Sequence, residues 1–143
     1  MLVPTNLRCE AEFNPIGIDY EHPRFSWAIQ AEGRGQLQTA YRVRVASKLE
    51  QLVAGHSDLW ESDLIHSSEQ IAEYDGQPLA SGQRAGWQVQ IWDAQGTPSP
   101  WSEPVWFEMG LLQPQDWQAL WIGWPAAWHG KALYFRKPFT LDQ

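Results

Sequence analysis

Trp87-Gln88-Val89-Gln90-Ile91-Trp92 decides the fold, because its side chains alternate with a period of two. Trp87, Val89 and Ile91 fall on one face of an extended strand, and Gln88, Gln90 and Trp92 fall on the other. After Asp93 comes the turn Ala94-Gln95-Gly96, then a proline-rich approach through Pro98, Pro100 and Pro104. It leads to Val105-Trp106-Phe107-Glu108-Met109, in which Val105, Phe107 and Met109 again share a face. The two segments read as a hairpin.

The same period recurs upstream. Phe25, Trp27 and Ile29 share a face of a strand bounded by Pro23 and the Gly33-Arg34-Gly35 turn, and Tyr41, Val43 and Val45 alternate with Arg42 and Arg44. One apolar and one solvated face is the pattern of an antiparallel sheet with a wet side. Ser47-Lys-Leu-Glu50 has the spacing of a capping box, with Leu49, Leu52 and Val53 at helical spacing and Gly55 as a stop, which predicts one helix of about two turns. Asp58–Asp63 and Gln70–Tyr74 read as shorter, more polar edge strands, the second ended by Asp75-Gly76. Six or seven short strands and one short helix predict an all-β antiparallel sandwich.

Composition limits the functions open to such a domain. The 143 residues carry 17 acidic and 10 basic side chains, net charge −7, so the surface repels phosphate and nucleic acid is not an expected partner. The single cysteine, Cys9, cannot close an internal disulfide and reads as a small buried hydrophobe on a strand. No run approaches the roughly 20 apolar residues of a membrane helix, and the first residues lack the features of a signal peptide. No membrane partner and a cytoplasmic location are the expectations.

Chemistry is equally constrained. His22, His56, His66 and His129 are scattered without ligand spacing, and Gly33-Arg34-Gly35 lacks the third glycine of a dinucleotide loop. Glu10 and Glu12, like Glu61 and Asp63, are neighbours on one strand face, the ordinary place for solvated carboxylates. No catalytic residue, metal or cofactor is expected. Beyond Gly110 the pattern changes: Leu111–Trp117 reads as a linker, Trp121–Trp128 is tryptophan-rich, and Lys131–Leu141 resumes strand-like alternation. A last strand with no partner after it is the expectation for a chain cut from a longer protein.

Several short motifs, taken in order, resemble a known family. They are Leu7-Arg-Cys-Glu10, Asn14-Pro-Ile-Gly17-Ile-Asp19, Pro23-Arg-Phe-Ser-Trp27, Gln38-Thr-Ala-Tyr41, Asp58-Leu-Trp60-Glu-Ser62, Trp101-Ser102, Phe107-Glu-Met-Gly-Leu111 and Asp116-Trp117. Together they resemble the N-terminal region of bacterial α-L-rhamnosidases of glycoside hydrolase family 78. The resemblance implies an immunoglobulin-like, fibronectin type III-like sandwich over residues 1–112, with residues 113–143 forming a linker and the first strand or strands of a truncated second sandwich. It places Trp27 at a core position of the second strand and Trp87 where the penultimate strand usually carries a corner tyrosine. Indole offers only an N–H donor, so the usual corner hydrogen bond is in question.

The resemblance further implies a parent enzyme that removes terminal α-L-rhamnose with inversion, using two acidic residues of a downstream (α/α)6 barrel. None of those positions is carried here. The expected role is a noncatalytic accessory domain that braces or positions the barrel, with the rest of the same polypeptide as partner. Trp92 and Trp106 point away from the Trp87 and Phe107 face, and Trp124 and Trp128 fall where the second sandwich begins. These four are the candidate contacts, either with neighbouring domains or with rhamnose-containing glycans. The interdomain reading is preferred, because buried protein contacts gather aromatics. The alternatives are a carbohydrate-binding module and an adhesion or receptor-like interaction module. Trp101-Ser-Glu-Pro-Val-Trp106 resembles the WSxWS element of cytokine receptors, but three residues separate Ser102 from Trp106.

Overall fold

A computed structural model describes residues 2–33, 35–120, 122 and 134–140. Among them are eight strands: β1 (Leu2–Cys9), β2 (Ile16–Ile18), β3 (Arg24–Ala31), β4 (Ala40–Ala46), β5 (Trp60–Glu61), β6 (Ile71–Glu73), β7 (Arg84–Trp92) and β8 (Val105–Met109). The helix α1 (Leu49–Val53) follows β4, and a 3-10 turn spans Pro114–Asp116. The strands form two sheets, in the order β1-β3-β6 and β2-β8-β7-β4-β5. All pairings are antiparallel except β2 with β8, which run parallel.

The alternating residues of the sequence face one another between the sheets. Phe25 and Trp27 come from the smaller sheet, and Tyr41, Val43, Val45, Trp87, Val89, Ile91, Phe107 and Met109 from the larger; all are buried. Phe25 stacks on Trp87 with centroids 4.5 Å apart and an interplanar angle of 20°. Trp27 meets Tyr41 edge-on at 5.1 Å. Each large apolar side chain removed from water in this way stabilises the fold by about 1.5–3 kcal/mol.

The two indoles differ in how their N–H groups fare. Trp27 Nε1 donates to Gln38 Oε1 at 2.9 Å, and Gln38 Nε2 donates onward to the Ser67 and Glu69 carbonyls. Trp87 Nε1 is buried and finds no acceptor among the described residues. The corner is closed instead by Tyr74, just after β6, whose hydroxyl donates to the Gln77 carbonyl at 2.7 Å. Burial, then the charge of Asp58, pushes the Tyr74 phenol up to about 12, so it stays a donor at neutral pH. Gly76 in this corner has no room for a side chain: a Cβ would lie 2.5 Å from Trp60 Cβ and 2.7 Å from the Leu59 carbonyl oxygen.

Serines extend the central β4–β7 pair where regular ladder fails. Pro98, Pro100 and Pro104 lack the amide a strand needs, so the approach to β8 does not pair continuously with β7. Ser99 and Ser102 do so singly: each amide donates to a β7 carbonyl, of Ile91 and Val89 respectively, and each hydroxyl accepts the amide of that same residue at 3.1 Å. Ser62 repeats the arrangement on β4, with its amide on the Val43 carbonyl and its hydroxyl accepting the Val43 amide. The strand expected over Asp58–Asp63 therefore shortens to Trp60–Glu61.

The helix is also shorter than the expected two turns, and the capping box does not form. Lys48 is the N-cap and makes no side-chain cap bond. The Ser47 hydroxyl turns to the Asp58 carboxylate at 2.7 Å, a pairing of two loops that the local spacing does not reveal. Gly55 does stop the helix, at φ +82°, with the Gly55 and His56 amides on the Leu52 and Gln51 carbonyls. α1 lies on the outer face of the larger sheet over Gly86, where a Cβ would meet Leu49 Cδ2 at 2.5 Å.

Candidate functional site

Two surfaces are candidates for contact: the outer face of the larger sheet, and the pole at which the chain leaves it. Trp92 and Trp106 are both half-buried on the outer face, outside the central core. The Arg84 guanidinium lies 4.3 Å from the centroid of the Trp106 ring and is itself held by Glu108 at 2.8 Å. Arg44 covers Trp101 at the same distance and pairs with Glu61 at 3.0 Å. The stacked cations occupy one face of each indole, which a sugar ring would otherwise use. Trp106 also borders a hollow of about 290 Å³ with Arg84, Leu49 and Glu50. Trp124 and Trp128 lie outside the described residues, as does Trp121.

Three carboxylates of the domain hold structural contacts. Glu10 accepts the Arg24 amide at 2.6 Å and its Nη2 at 2.8 Å, and these contacts hold its carboxyl below the ordinary value. Burial raises Glu61, but the Arg44 and Ser57 hydrogen bonds outweigh it and the net direction is down. Asp58 is likewise held down by Ser47 against the opposing effect of burial. A general acid at neutral pH needs a raised carboxyl, the reverse of these three. Among the described residues no three metal-ligating side chains converge, and no helix is long and apolar enough to cross a membrane. Burial, then the Glu10 charge, drives the Cys9 thiol far above its usual range.

The exit pole is built from three separate segments: the stretch before β3, the β6–β7 connection and the chain after β8. Past β8 the chain is tied back to the β6–β7 connection: the Gly82 amide donates to the Gly110 carbonyl at 3.0 Å, and the Leu112 amide to Ser81 Oγ at 2.8 Å. The Ser81 hydroxyl in turn donates to the Asp116 carboxylate, which also accepts the Gln113 amide. These contacts fix the direction in which the chain departs. Beside them is a hollow of about 530 Å³, walled by Pro78, Leu79 and Ala80, by Leu112, and by His22 and Tyr74. Sequence reading missed this site, because no one stretch carries it.

Residues 4–113 match the family described as the Rha78A-like, N-terminal immunoglobulin domain. The chain belongs to that family. An α-L-rhamnosidase of Formosa agariphila is 45% identical over 114 residues, which are 78% of this chain and 12% of that protein. The Rha78A-like domain also superposes on solved enzymes. The Streptomyces avermitilis α-L-rhamnosidase complexed with L-rhamnose matches with TM-score 0.82 and 40% identity, over 87% of this chain and 12% of that one. The α-L-rhamnosidase of Dictyoglumus thermophilum matches with TM-score 0.77 and 37% identity, over 81% of this chain and 13% of that one. The chain thus spans about one eighth of the relatives it matches. The family match ends at Gln113, inside the clamp formed by Ser81 and Asp116.

Proposed function

We propose that this chain is the noncatalytic accessory domain of an α-L-rhamnosidase, and that it sets the position of the enzyme's downstream parts. The clamp at the exit carries the reading. A passive tether needs no fixed direction, and linkers that only connect are flexible or extended; here Gly82, Ser81 and Asp116 fasten the departing chain to the sandwich. In this reading hydrolysis of terminal α-L-rhamnose, with inversion, belongs to a downstream (α/α)6 barrel. Residues 113–143 lead into a second sandwich; of these, Tyr134–Thr140 are exposed and carry no strand pairing among the described residues.

Activity on a nitrophenyl α-L-rhamnoside tests the assignment. The 143-residue chain should leave it intact, and the chain extended by its natural downstream sequence should cleave it. Turnover by the 143-residue chain, or none by the extended one, overturns the reading.

The hollow beside Trp106 favours one alternative, direct contact with a rhamnose-bearing glycan. The Arg84 guanidinium already stacked on one face of that indole weighs against it, because a sugar ring on that face would have to displace a cation–π contact and strain the Arg84–Glu108 pair. Titration of rhamnosyl oligosaccharides against tryptophan fluorescence separates the two, since a saturating shift that Trp106→Ala abolishes would establish the glycan site.

A further inference from the structure

The outer face of the larger sheet carries its own helix and stacked arginines beside the hollow of about 290 Å³ at Trp106, whereas the hollow at the exit pole is larger, at about 530 Å³, and walled by apolar side chains. We infer that this hollow is the seat of an apolar loop from the next domain of the same polypeptide. The inference rests on the accessory-domain reading and adds to it the surface through which position is transmitted.

Three observations identify the occupant. The first is the lining: Pro78, Leu79, Ala80 and Leu112 supply apolar wall, and of the polar residues beside them Tyr74, His22 and Asp116 are already engaged within the fold, with the exposed Glu21 next to them. The Tyr74 hydroxyl is on Gln77, His22 Nδ1 donates to the Tyr74 carbonyl at 2.9 Å, and Asp116 accepts from Ser81 and Gln113. A sugar is recognised by several hydrogen bonds directed at its hydroxyls, and these groups are turned to other partners. An apolar side chain asks for none.

The second is the path of the chain. Leu112 and Asp116 form part of the wall, so the polypeptide leaves along the rim of the hollow, and the downstream domain is delivered to its mouth. The third is the character of that continuation: Leu120 is 90% exposed and Ile122 70% exposed, within ten residues of the rim. Such apolar exposure marks a surface destined for contact. With about seven-eighths of the relatives' length lying outside the matched region, the next domain is the partner that geometry brings closest.

Thiol labelling tests this directly. Ala80 lines the hollow and is exposed, and the native Cys9 is buried, so Ala80→Cys introduces a reactive thiol on a silent background. Gln95→Cys, in the turn at the far end of β7, is the control. Maleimide incorporation at each position is followed by peptide mass mapping in the 143-residue chain and in the chain extended by its natural downstream sequence. Ala80→Cys should label about tenfold or more slowly in the extended protein, as expected of a covered site, while Gln95→Cys labels equally in both. Equal rates for Ala80→Cys in an extended protein that hydrolyses the rhamnoside overturn the seat but not the accessory role. Loss of rhamnosidase activity in the unsubstituted extended protein fails the accessory role itself. Slowing of Ala80→Cys in the 143-residue chain by free L-rhamnose would make the hollow a sugar site and overturn the inference.

Discussion

Ser102 and Val89 bind each other twice: the Ser102 amide donates to the Val89 carbonyl at 2.9 Å, and the Ser102 hydroxyl accepts the Val89 amide at 3.1 Å. A side chain thus stands in for the carbonyl that a continuous strand would offer. Ser102 and Val89 are both buried, so Ser102→Ala leaves an amide with neither carbonyl nor water, at a cost of about 1–3 kcal/mol. Ser99→Ala should act alike through Ile91. Chemical denaturation of each variant checks the magnitude, and an exposed serine such as Ser68 should be silent to the same change.

Gln38 is the polar residue on which the core depends most. It is 1% exposed, receives the Trp27 indole N–H, and ties the Ser67–Glu69 loop through two donor bonds. Gln38→Leu keeps much of the volume but strands the indole donor and frees two loop carbonyls. The expected loss is about 2–4 kcal/mol, given the penalty for each buried group left unmade. Trp27→Phe in the Gln38→Leu background should cost less than Trp27→Phe alone, because the stranded donor goes with the indole. A double-mutant cycle by urea denaturation measures that coupling.

Legibility in the sequence followed the regularity of each element. β3, β4, β7 and β8 keep strict alternation and were readable as strands. β1 was not, for a physical reason: its buried residues are Leu2 and Pro4, then Leu7 and Cys9, so the inward face changes parity midway. A register shift between Thr5 and Arg8, with Asn6 at φ +50°, produces the change. β2 has three residues and a parallel partner, too little for any period. The outward direction of Trp92 and Trp106 was legible from alternation; the arginine stacked on Trp106 was not, since Arg84 comes from another register of the sheet. The motif serines Ser62 and Ser102 carried the family resemblance, and the structure supplies their physical reason.

Acid should loosen the domain through its carboxylates. Glu10, Glu61 and Asp58 all have values lowered in the folded state, from ordinary values of 4.5, 4.5 and 3.8. A group depressed by folding contributes stability that is present above its unfolded value and lost as pH falls through its folded one. The thermal midpoint should therefore hold from neutrality to about pH 5 and fall below about pH 4, where these carboxylates begin to take up protons. Glu10→Gln removes one of the three and should flatten the fall. Scanning calorimetry across that range decides it, and a midpoint for Glu10→Gln as acid-sensitive as the parent's would refute the role assigned to the Arg24 pair.

Strain at the first turn offers the opposite sign of change. Cys9 and Glu12 exchange backbone hydrogen bonds at 2.9 and 3.0 Å across a two-residue turn, and both turn residues are left-handed, Glu10 at φ +48° and Ala11 at φ +67°. Such turns favour Asn-Gly or Asp-Gly, because a Cβ crowds the backbone there. Glu10 has a reason to remain, since its carboxylate holds Arg24. Ala11 contributes to the turn through its carbonyl, which accepts Arg8 Nη1 at 3.1 Å, and glycine keeps that group. Ala11→Gly relieves the crowding but adds freedom to the unfolded chain, worth about 0.4–1 kcal/mol against it. The left-handed cost of about 1–2 kcal/mol is the larger, so the variant should be more stable by about 0.5–1 kcal/mol, read as a higher urea midpoint with an unchanged slope. Glu10→Gly should gain less or lose outright, because it relieves the same strain but gives up the Arg24 contacts.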